Sequence, residues 1–411
     1  MPRLVHFAWL SIVLFGAAAA SAKPQFAGTW DTSFGRMHLQ QDKHEVKGFY
    51  VLASHLAKIE GKLEKSRWTF RFREPNSQGE GHFELADDGQ SFAGKWRPKG
   101  TVDWQPWTGR RIEPPAKVES FDGVWNTSLG KLRLTTSKDT ARGCYAFPAG
   151  ATLDGKLAGG TFNFNYHEPD AEGEGRFVLS ADGRAFHGQW RPKGAETWLD
   201  WFGHRAEPVP GRAWLVVLEA NWEHDLAEPE YSFGSMLRAF FARSPRVQVR
   251  HRFVNDSDDL ARACQEIAYL TEPVLLVVAS HGTGQGVSIG PDTVGAESFA
   301  EALRYAPKLK LLHFSSCSVM QDKLAETLQA ECEPERRFPI SGYTQSVDWA
   351  ASAVIEFLYF DMILSRGMRP SQAADQVKLL LPFSSEKQLD GAAIPPAGFR
   401  VLLPGAPAPK P

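Results

Sequence analysis

The chain has 411 residues, 43% of them hydrophobic and 23% charged, with a formal net charge of −2. This is the composition of an ordinary folded globular protein, long enough for roughly two to three domains. The near-zero charge excludes the basic balance of a nucleic-acid or anionic-membrane binder.

Arg3 precedes an apolar run from Val5 to Phe15, and Ala20-Ser21-Ala22 follows. A cation, a short apolar stretch and a small-residue site read as a secretory signal peptide over residues 1–22, with Lys23 starting the mature chain. The expected location is therefore outside the cytoplasm, periplasmic or extracellular. No later run is long and apolar enough to cross a membrane. Cys144, Cys264, Cys317 and Cys332 are sparse and irregularly spaced, so no disulfide framework is expected, although a Cys264–Cys332 bridge stays open.

Residues 23–115 and 116–209 are two copies of one unit. Phe26-Ala27-Gly28-Thr29-Trp30 matches Phe121-Asp122-Gly123-Val124-Trp125. Gly79-Glu80-Gly81 matches Gly173-Glu174-Gly175, and Trp96-Arg97-Pro98-Lys99-Gly100 matches Trp190-Arg191-Pro192-Lys193-Gly194. Trp104 and Trp107 match Trp198 and Trp201. Such self-similarity implies two copies of one fold. Alternation in Trp68-Thr69-Phe70-Arg71-Phe72-Arg73 and Thr161-Phe162-Asn163-Phe164-Asn165-Tyr166 marks half-buried strands. Asp88-Gly89 and Asp182-Gly183 read as two-residue hairpin turns. Each copy is expected to be an antiparallel meander of six strands or more, closed or nearly closed into a barrel. The Trp side chains are expected mainly to fill the barrels, with Arg stacked on Trp in the repeated turn. The other reading is that they bind a glycan or protein ligand. Glu113-Pro114-Pro115 and the stretch from Glu207 to Gly211 are the expected linkers.

From residue 210 to 385 strands alternate with helices. Strands are expected at 214–218, 247–254, 274–280, 309–316 and 338–341. Helices are expected at 233–241, 257–270, 297–305, 319–332, 351–364 and 371–381. Such alternation implies a mainly parallel sheet with helices on both faces. Residues 386–411 read as a Pro-rich tail.

Two apolar strands in this domain end in reactive residues, Ala279-Ser280-His281-Gly282 and Ser315-Ser316-Cys317-Ser318. Residues just beyond the C-terminal ends of parallel strands share one crevice. A thiol and an imidazole there are the minimum equipment for nucleophilic catalysis.

This pair, 36 residues apart with one helix between, resembles the caspase–hemoglobinase superfamily of cysteine peptidases. The segments Ile340 to Trp349 and Arg366 to Ala373 are similar to its CHAT branch, with Tyr343 where Trp is usual. The resemblance implies Cys317 as nucleophile, His281 as general acid–base, and the backbone N–H groups of Gly282 and Cys317 as oxyanion hole. It places Glu223, Asp225 and Asp348 in substrate-binding loops, where acidic side chains favour a basic P1 residue. A helix directly after Cys317 is expected to lower the thiol pKa.

The expected partner is a protein or peptide substrate, with no cofactor and no metal, since no zinc-type spacing occurs. Gly282-Thr283-Gly284-Gln285-Gly286 lacks the Lys-Ser/Thr of a phosphate loop and reads as a mobile loop flanking the site. The alternative is a non-catalytic exported binding protein, a pseudo-peptidase scaffold carrying ligand-binding barrels.

Overall fold

The computed structural model describes residues 25–52, 55–113, 120–223, 225, 227–228, 230–387, 390 and 393–405. The expected signal peptide, most of the first linker and the end of the Pro-rich tail lie outside these residues. The chain divides into two compact units, Met1–Glu113 and Pro114–Pro411.

The first unit is a closed antiparallel barrel of eight strands. They are β1 (Gly28–Thr32), β2 (Gly35–Asp42), β3 (Glu45–Leu52), β4 (His55–Glu64), β5 (Arg67–Arg73), β6 (Gln78–Leu85), β7 (Ser91–Pro98) and β8 (Gln105–Arg111). Closure comes from β1, which pairs with both β2 and β8. Alternation decides which side chains enter: Trp68, Phe70 and Phe72 of β5 are buried while Arg67, Thr69, Arg71 and Arg73 face out. Trp30, Trp68 and Trp107 are fully buried among the Phe side chains. The indole N–H of Trp30 donates to the Phe26 carbonyl at 2.8 Å, and the Arg111 guanidinium lies 4.2 Å over its ring.

The second unit opens with another closed eight-stranded barrel. Its strands are β9 (Gly123–Thr127), β10 (Gly130–Ser137), β11 (Thr140–Tyr145), β12 (Thr152–Ala158), β13 (Thr161–His167), β14 (Glu172–Leu179), β15 (Ala185–Pro192) and β16 (Leu199–Arg205). The internal design repeats: Trp125 donates to the Phe121 carbonyl at 2.9 Å beneath Arg205 at 4.4 Å. The Gly-Glu-Gly motif is a packing device, because a Cβ on Gly81 or Gly175 would collide with the Phe70 or Phe164 ring. The Arg-on-Trp expectation holds at Arg97 over Trp104 (4.5 Å) and Arg191 over Trp198 (4.4 Å).

The Asp-Gly turns differ from expectation. They sit inside five-residue loops, 86–90 and 180–184. The Ala86 and Ser180 amides close the loops onto the Ser91 and Ala185 carbonyls, and Gly89 and Gly183 adopt positive φ. The tight bend thus spans a helical-type turn plus one left-handed residue, a longer solution than a two-residue hairpin.

The rest of the second unit is an α/β domain around a six-stranded sheet. Its strands are β17 (Ala213–Glu219), β18 (Val247–Phe253), β19 (Val274–Ala279), β23 (Leu309–Ser315), β24 (Ile340–Tyr343) and β25 (Phe399–Leu402), ordered β18-β17-β19-β23-β24-β25. The first five are parallel, and β25 closes the edge antiparallel to β24. This edge strand lies in the segment expected to be tail, so the domain extends to Leu402. Helices α2 (Ser257–Glu266), α3 (Ala296–Ala302) and α4 (Leu324–Glu331) pack on one face. On the other are α1 (Phe233–Phe241), α5 (Trp349–Leu364) and α6 (Pro370–Leu380). Alternate strand residues feed the two layers: Leu276 and Val278 one, Leu275 and Val277 the other.

One further expectation is corrected. The glycine-rich stretch after His281 is not a loop but a small antiparallel sheet of β20 (Gly282–Thr283), β21 (Gly286–Ile289) and β22 (Asp292–Val294). All four cysteines are free, in line with the absence of a disulfide framework, and the open Cys264–Cys332 pairing is not formed; Cys264 is buried in the α2 packing layer.

Candidate functional site

Strand register brings the thiol and the imidazole to one rim. Ala279 of β19 and Ser315 of β23 are partners in the parallel ladder. His281 and Cys317 each follow two residues later. Between them the Ser280 amide donates to the Ser315 carbonyl at 3.3 Å, and the Ser280 and Ser316 hydroxyls lie 3.5 Å apart. Gly282 is pressed against the neighbouring turn. A Cβ there would stand 2.7 Å from the Cys317 carbonyl oxygen and 2.8 Å from the Ser316 Cβ. Only glycine fits so close an approach.

The backbone turns sharply after Cys317. Ser318 has φ +59°, a left-handed conformation costing a non-glycine residue roughly 1–2 kcal/mol. The surroundings hold it: the Ser318 amide donates to the Gln345 carbonyl at 3.0 Å and the Met320 amide to the Tyr343 carbonyl at 2.9 Å. The Cys317 sulfur is half-buried. It accepts from the Val347 amide at 3.4 Å and from the Ser346 hydroxyl at 3.6 Å. As a thiol it faces the Val347 carbonyl at 3.8 Å. The expected helix directly after Cys317 is absent, since α4 begins only at Leu324. The groups that face the sulfur are therefore the Ser346 hydroxyl and the Val347 amide rather than a helix N-terminus. Sequence reasoning missed this pair, because the Val347 donor is main chain and leaves no trace in residue type, and the Ser346 hydroxyl reaches the sulfur from 29 residues away.

His281 is exposed, and its ring meets Trp222 edge-to-face at 5.2 Å. Trp222 in turn packs on Trp349 at 5.6 Å. Beneath them lies Glu219, the fully buried last residue of β17. It accepts from the Trp222 indole N–H at 2.7 Å and from the Phe233 and Gly234 amides at 2.6 and 3.0 Å. The His251 ring nitrogen stands 2.8 Å from Oε2, the oxygen that also takes the Gly234 amide. Burial by itself would raise the Glu219 pKa. The His251, Trp222 and backbone hydrogen bonds overcome that and hold it below the ordinary carboxylate value. A Glu closing an otherwise apolar strand is the one signal that could have found this anchor from sequence.

A second buried carboxylate lies under the Cys317 side of the rim. Glu356 of α5 accepts from the Ser315 hydroxyl at 2.9 Å and the Tyr343 hydroxyl at 2.8 Å, and stands 3.1 Å from the His313 ring. His313 shares its other nitrogen with Ser341 at 2.8 Å. Burial, then the neighbouring Glu356, raises the Tyr343 pKa well above its usual value. His313 is thus a structural member of a buried network, as its place within a strand predicts.

The three acidic residues expected in the substrate loops have local partners. Asp348 caps α5, its Oδ1 accepting from the Ala350 and Ala351 amides at 3.0 and 3.1 Å. Glu223 accepts from the Tyr231 amide at 2.6 Å and Asp225 from the Ala227 amide at 2.7 Å. Asp348 lies between Val347, which touches the sulfur, and Trp349, which touches Trp222. Glu223 follows Trp222 directly. Among the described residues no group of three or more His, Cys, Asp or Glu is placed to hold a metal ion, and no helix is long and apolar enough to cross a membrane.

No family model matches the chain, and no curated protein matches it. Among solved structures it is similar to a double mutant of transferrin binding protein B from Haemophilus parasuis. That match has 12% identity over 41% of this chain and 52% of the other, with a TM-score of 0.14. It is also similar to oligopeptidase B from Leishmania major, at 9% identity over 74% of this chain and 56% of the other, with a TM-score of 0.17. The chain spans about half the length of these structures.

Proposed function

We propose that this chain is an exported cysteine endopeptidase of the caspase–hemoglobinase type, closest to the CHAT branch. The observation that carries the proposal is the register of β19 and β23, which sets His281 and Cys317 two residues beyond paired positions at adjacent strand ends. In this reading the Cys317 thiolate attacks the scissile carbonyl carbon. Its sulfur forms a thioester as the C–N bond breaks, and His281 donates the proton that the leaving amine takes up. Water, deprotonated by His281, then hydrolyses the thioester and restores the thiol. The close approach of Gly282 to the Cys317 turn supports an oxyanion hole made from the two backbone N–H groups. The Val347 amide and the Ser346 hydroxyl hold the sulfur in place at the rim.

Glu223, Asp225 and Asp348 make the flanking loops acidic, which selects a basic P1 residue, Arg or Lys. Peptides with Arg, Lys or Asp at P1 test this; preference for Asp contradicts it. In this reading the protein acts in the periplasm or outside the cell, and the barrels recruit substrate or restrain the enzyme.

The deciding experiment is proteome-wide cleavage profiling with purified mature protein beside Cys317→Ala. New termini that vanish in the variant support the peptidase. No cleavage, with Cys317 unreactive toward iodoacetamide, supports a non-catalytic binding scaffold.

A further inference from the structure

The two barrels keep one interior and present different outer faces. Phe70, Phe83 and Trp107 inside the first are matched by Phe164, Phe177 and Trp201 inside the second, all buried. Outward side chains on five adjoining strands line up in cross-strand rows. In the first barrel one row reads Lys47, Glu60, Arg71, Glu80, Arg97, alternating in sign from strand to strand. Its Arg97–Glu80 pair closes at 2.6 Å. In the second barrel the same row reads Arg142, Asp154, Asn165, Glu174, Arg191. The neighbouring row changes from Glu45, Lys62, Thr69, His82, Lys95 to Thr140, Lys156, Asn163, Arg176, Gln189. Thr140, Asn165 and Gln189 thus stand where the first barrel has Glu45, Arg71 and Lys95. Packing does not demand this exchange, since these side chains all face solvent.

The altered strip lines a cavity of about 1170 Å³ on the outside of the second barrel. Asn163, Asn165, Gln189 and Thr140 project into it, and Trp198, 39% exposed, forms one wall. The charged residues lining it nearly cancel: Arg142, Lys156 and Arg176 against Asp154 and Glu174. An amide both donates and accepts in a plane, as paired sugar hydroxyls require, whereas Lys and Arg only donate. The Trp198 indole has the Arg191 guanidinium on one face, and its remaining exposed surface is apolar, suited to the C–H face of a pyranose. The barrel interior, filled with aromatic rings, leaves the ligand to the outer face.

We propose that this outer face of β11–β15 is a binding site for a neutral polysaccharide. It holds its ligand by the Asn163–Asn165–Gln189 amides and the Trp198 wall, while the charge ladder of the first barrel does not.

The test is affinity electrophoresis of the full mature chain through native gels containing laminarin, galactomannan, glycol chitin or heparin. At least one of the three neutral polymers retards the chain. The variant Asn165→Arg/Gln189→Lys, which restores the first barrel's residues, weakens that retardation at least five-fold, and Trp198→Ala weakens it similarly. Arg71→Asn/Lys95→Gln in the first barrel leaves it unchanged, and near-UV circular dichroism confirms that each variant is folded. Retardation by heparin alone, by none of the polymers, or undiminished in Asn165→Arg/Gln189→Lys overturns the proposal. No readout involves cleavage, so this outcome is separate from that for the peptidase.

Discussion

The barrels and the α/β domain bury opposite chemistry. Inside each barrel the filling is aromatic, with Trp30, Trp68 and Trp107 in one and Trp125 and Trp201 in the other. Most of their charged residues are exposed, and some pair across strands, as Arg97 does with Glu80 and Arg191 with Glu174, although Arg133 and Asp182 are buried. The α/β domain instead buries Glu219, Glu272, Glu356 and His313 at 0–2% exposure. Burying a carboxylate is costly unless every hydrogen bond is met, and an apolar replacement is often as stable. Glu219 holds Trp222, on which His281 packs, and Glu356 holds the Ser315 hydroxyl two residues before Cys317, where a packing argument alone would place Leu or Phe. The difference teaches where this molecule spends stability on geometry: under the strand ends, not in the repeats.

Removing one aromatic wedge from each barrel gives the largest expected effect. Trp30→Ala and Trp125→Ala should each lose about 3–5 kcal/mol, read by urea unfolding. A loss below 1 kcal/mol in either would mean that the barrel interior is loosely packed and the contrast is false. Glu356→Ala comes next. It strips the Ser315 and Tyr343 hydroxyls of their acceptor and should also cost about 3–5 kcal/mol, against roughly 1–2 for Glu356→Gln. Equal effects of the two would mean that the carboxylate's charge and hydrogen bonds are not what matters.

Glu272 sharpens the comparison through pH. Burial would raise its pKa, but the Val209 amide, the Trp214 indole, Arg212 and Thr271 together hold it down at about 2 from 4.5. A carboxylate depressed on folding stabilises the native state above its unfolded pKa, and that gain is lost as pH falls toward the folded value. Unfolding midpoints should therefore drop between about pH 4.5 and pH 2. Glu272→Gln should be less stable at pH 7 by about 1.5–3 kcal/mol and lose that part of the acid dependence. An unchanged pH profile in Glu272→Gln would contradict the assignment. The smallest expected stability change belongs to Trp222→Phe, which keeps an aromatic ring against His281 but loses the indole N–H to Glu219. It should cost no more than about 1–2 kcal/mol and, if the proposed peptidase activity holds, slow peptide turnover about tenfold through a less well-held imidazole. Turnover falling only in proportion to the folded fraction would make Trp222 a packing residue alone.

Much of this architecture is legible in the residues themselves. Period-two alternation in Trp68 to Arg73 and again in Thr161 to Tyr166 announces the strands of the two barrels. Unbroken Val and Leu in Val274 to Ala279 announces a strand covered on both faces. What sequence misses has physical causes. The edge strand β25 sits among Pro and Gly residues whose local preference is for loop, and only pairing with β24 makes Phe399–Leu402 extended. The stretch after Cys317 has helical residue types through Val319-Met320, yet the left-handed Ser318 and the bonds to Gln345 and Tyr343 delay the helix to Leu324. His281 and Cys317 stand out by strand position, whereas the Ser346–Val347 cradle and the Glu219–Trp222 support depend on contacts between distant segments.

The most direct test of the central claim is the reaction itself. Purified mature protein and Cys317→Ala, matched by circular dichroism and unfolding midpoint, are incubated with the same proteome-derived peptide library. The account predicts new termini in the first digest only, enriched in Arg or Lys at P1. Identical digests from the two proteins, with Cys317 inert to iodoacetamide, would contradict it.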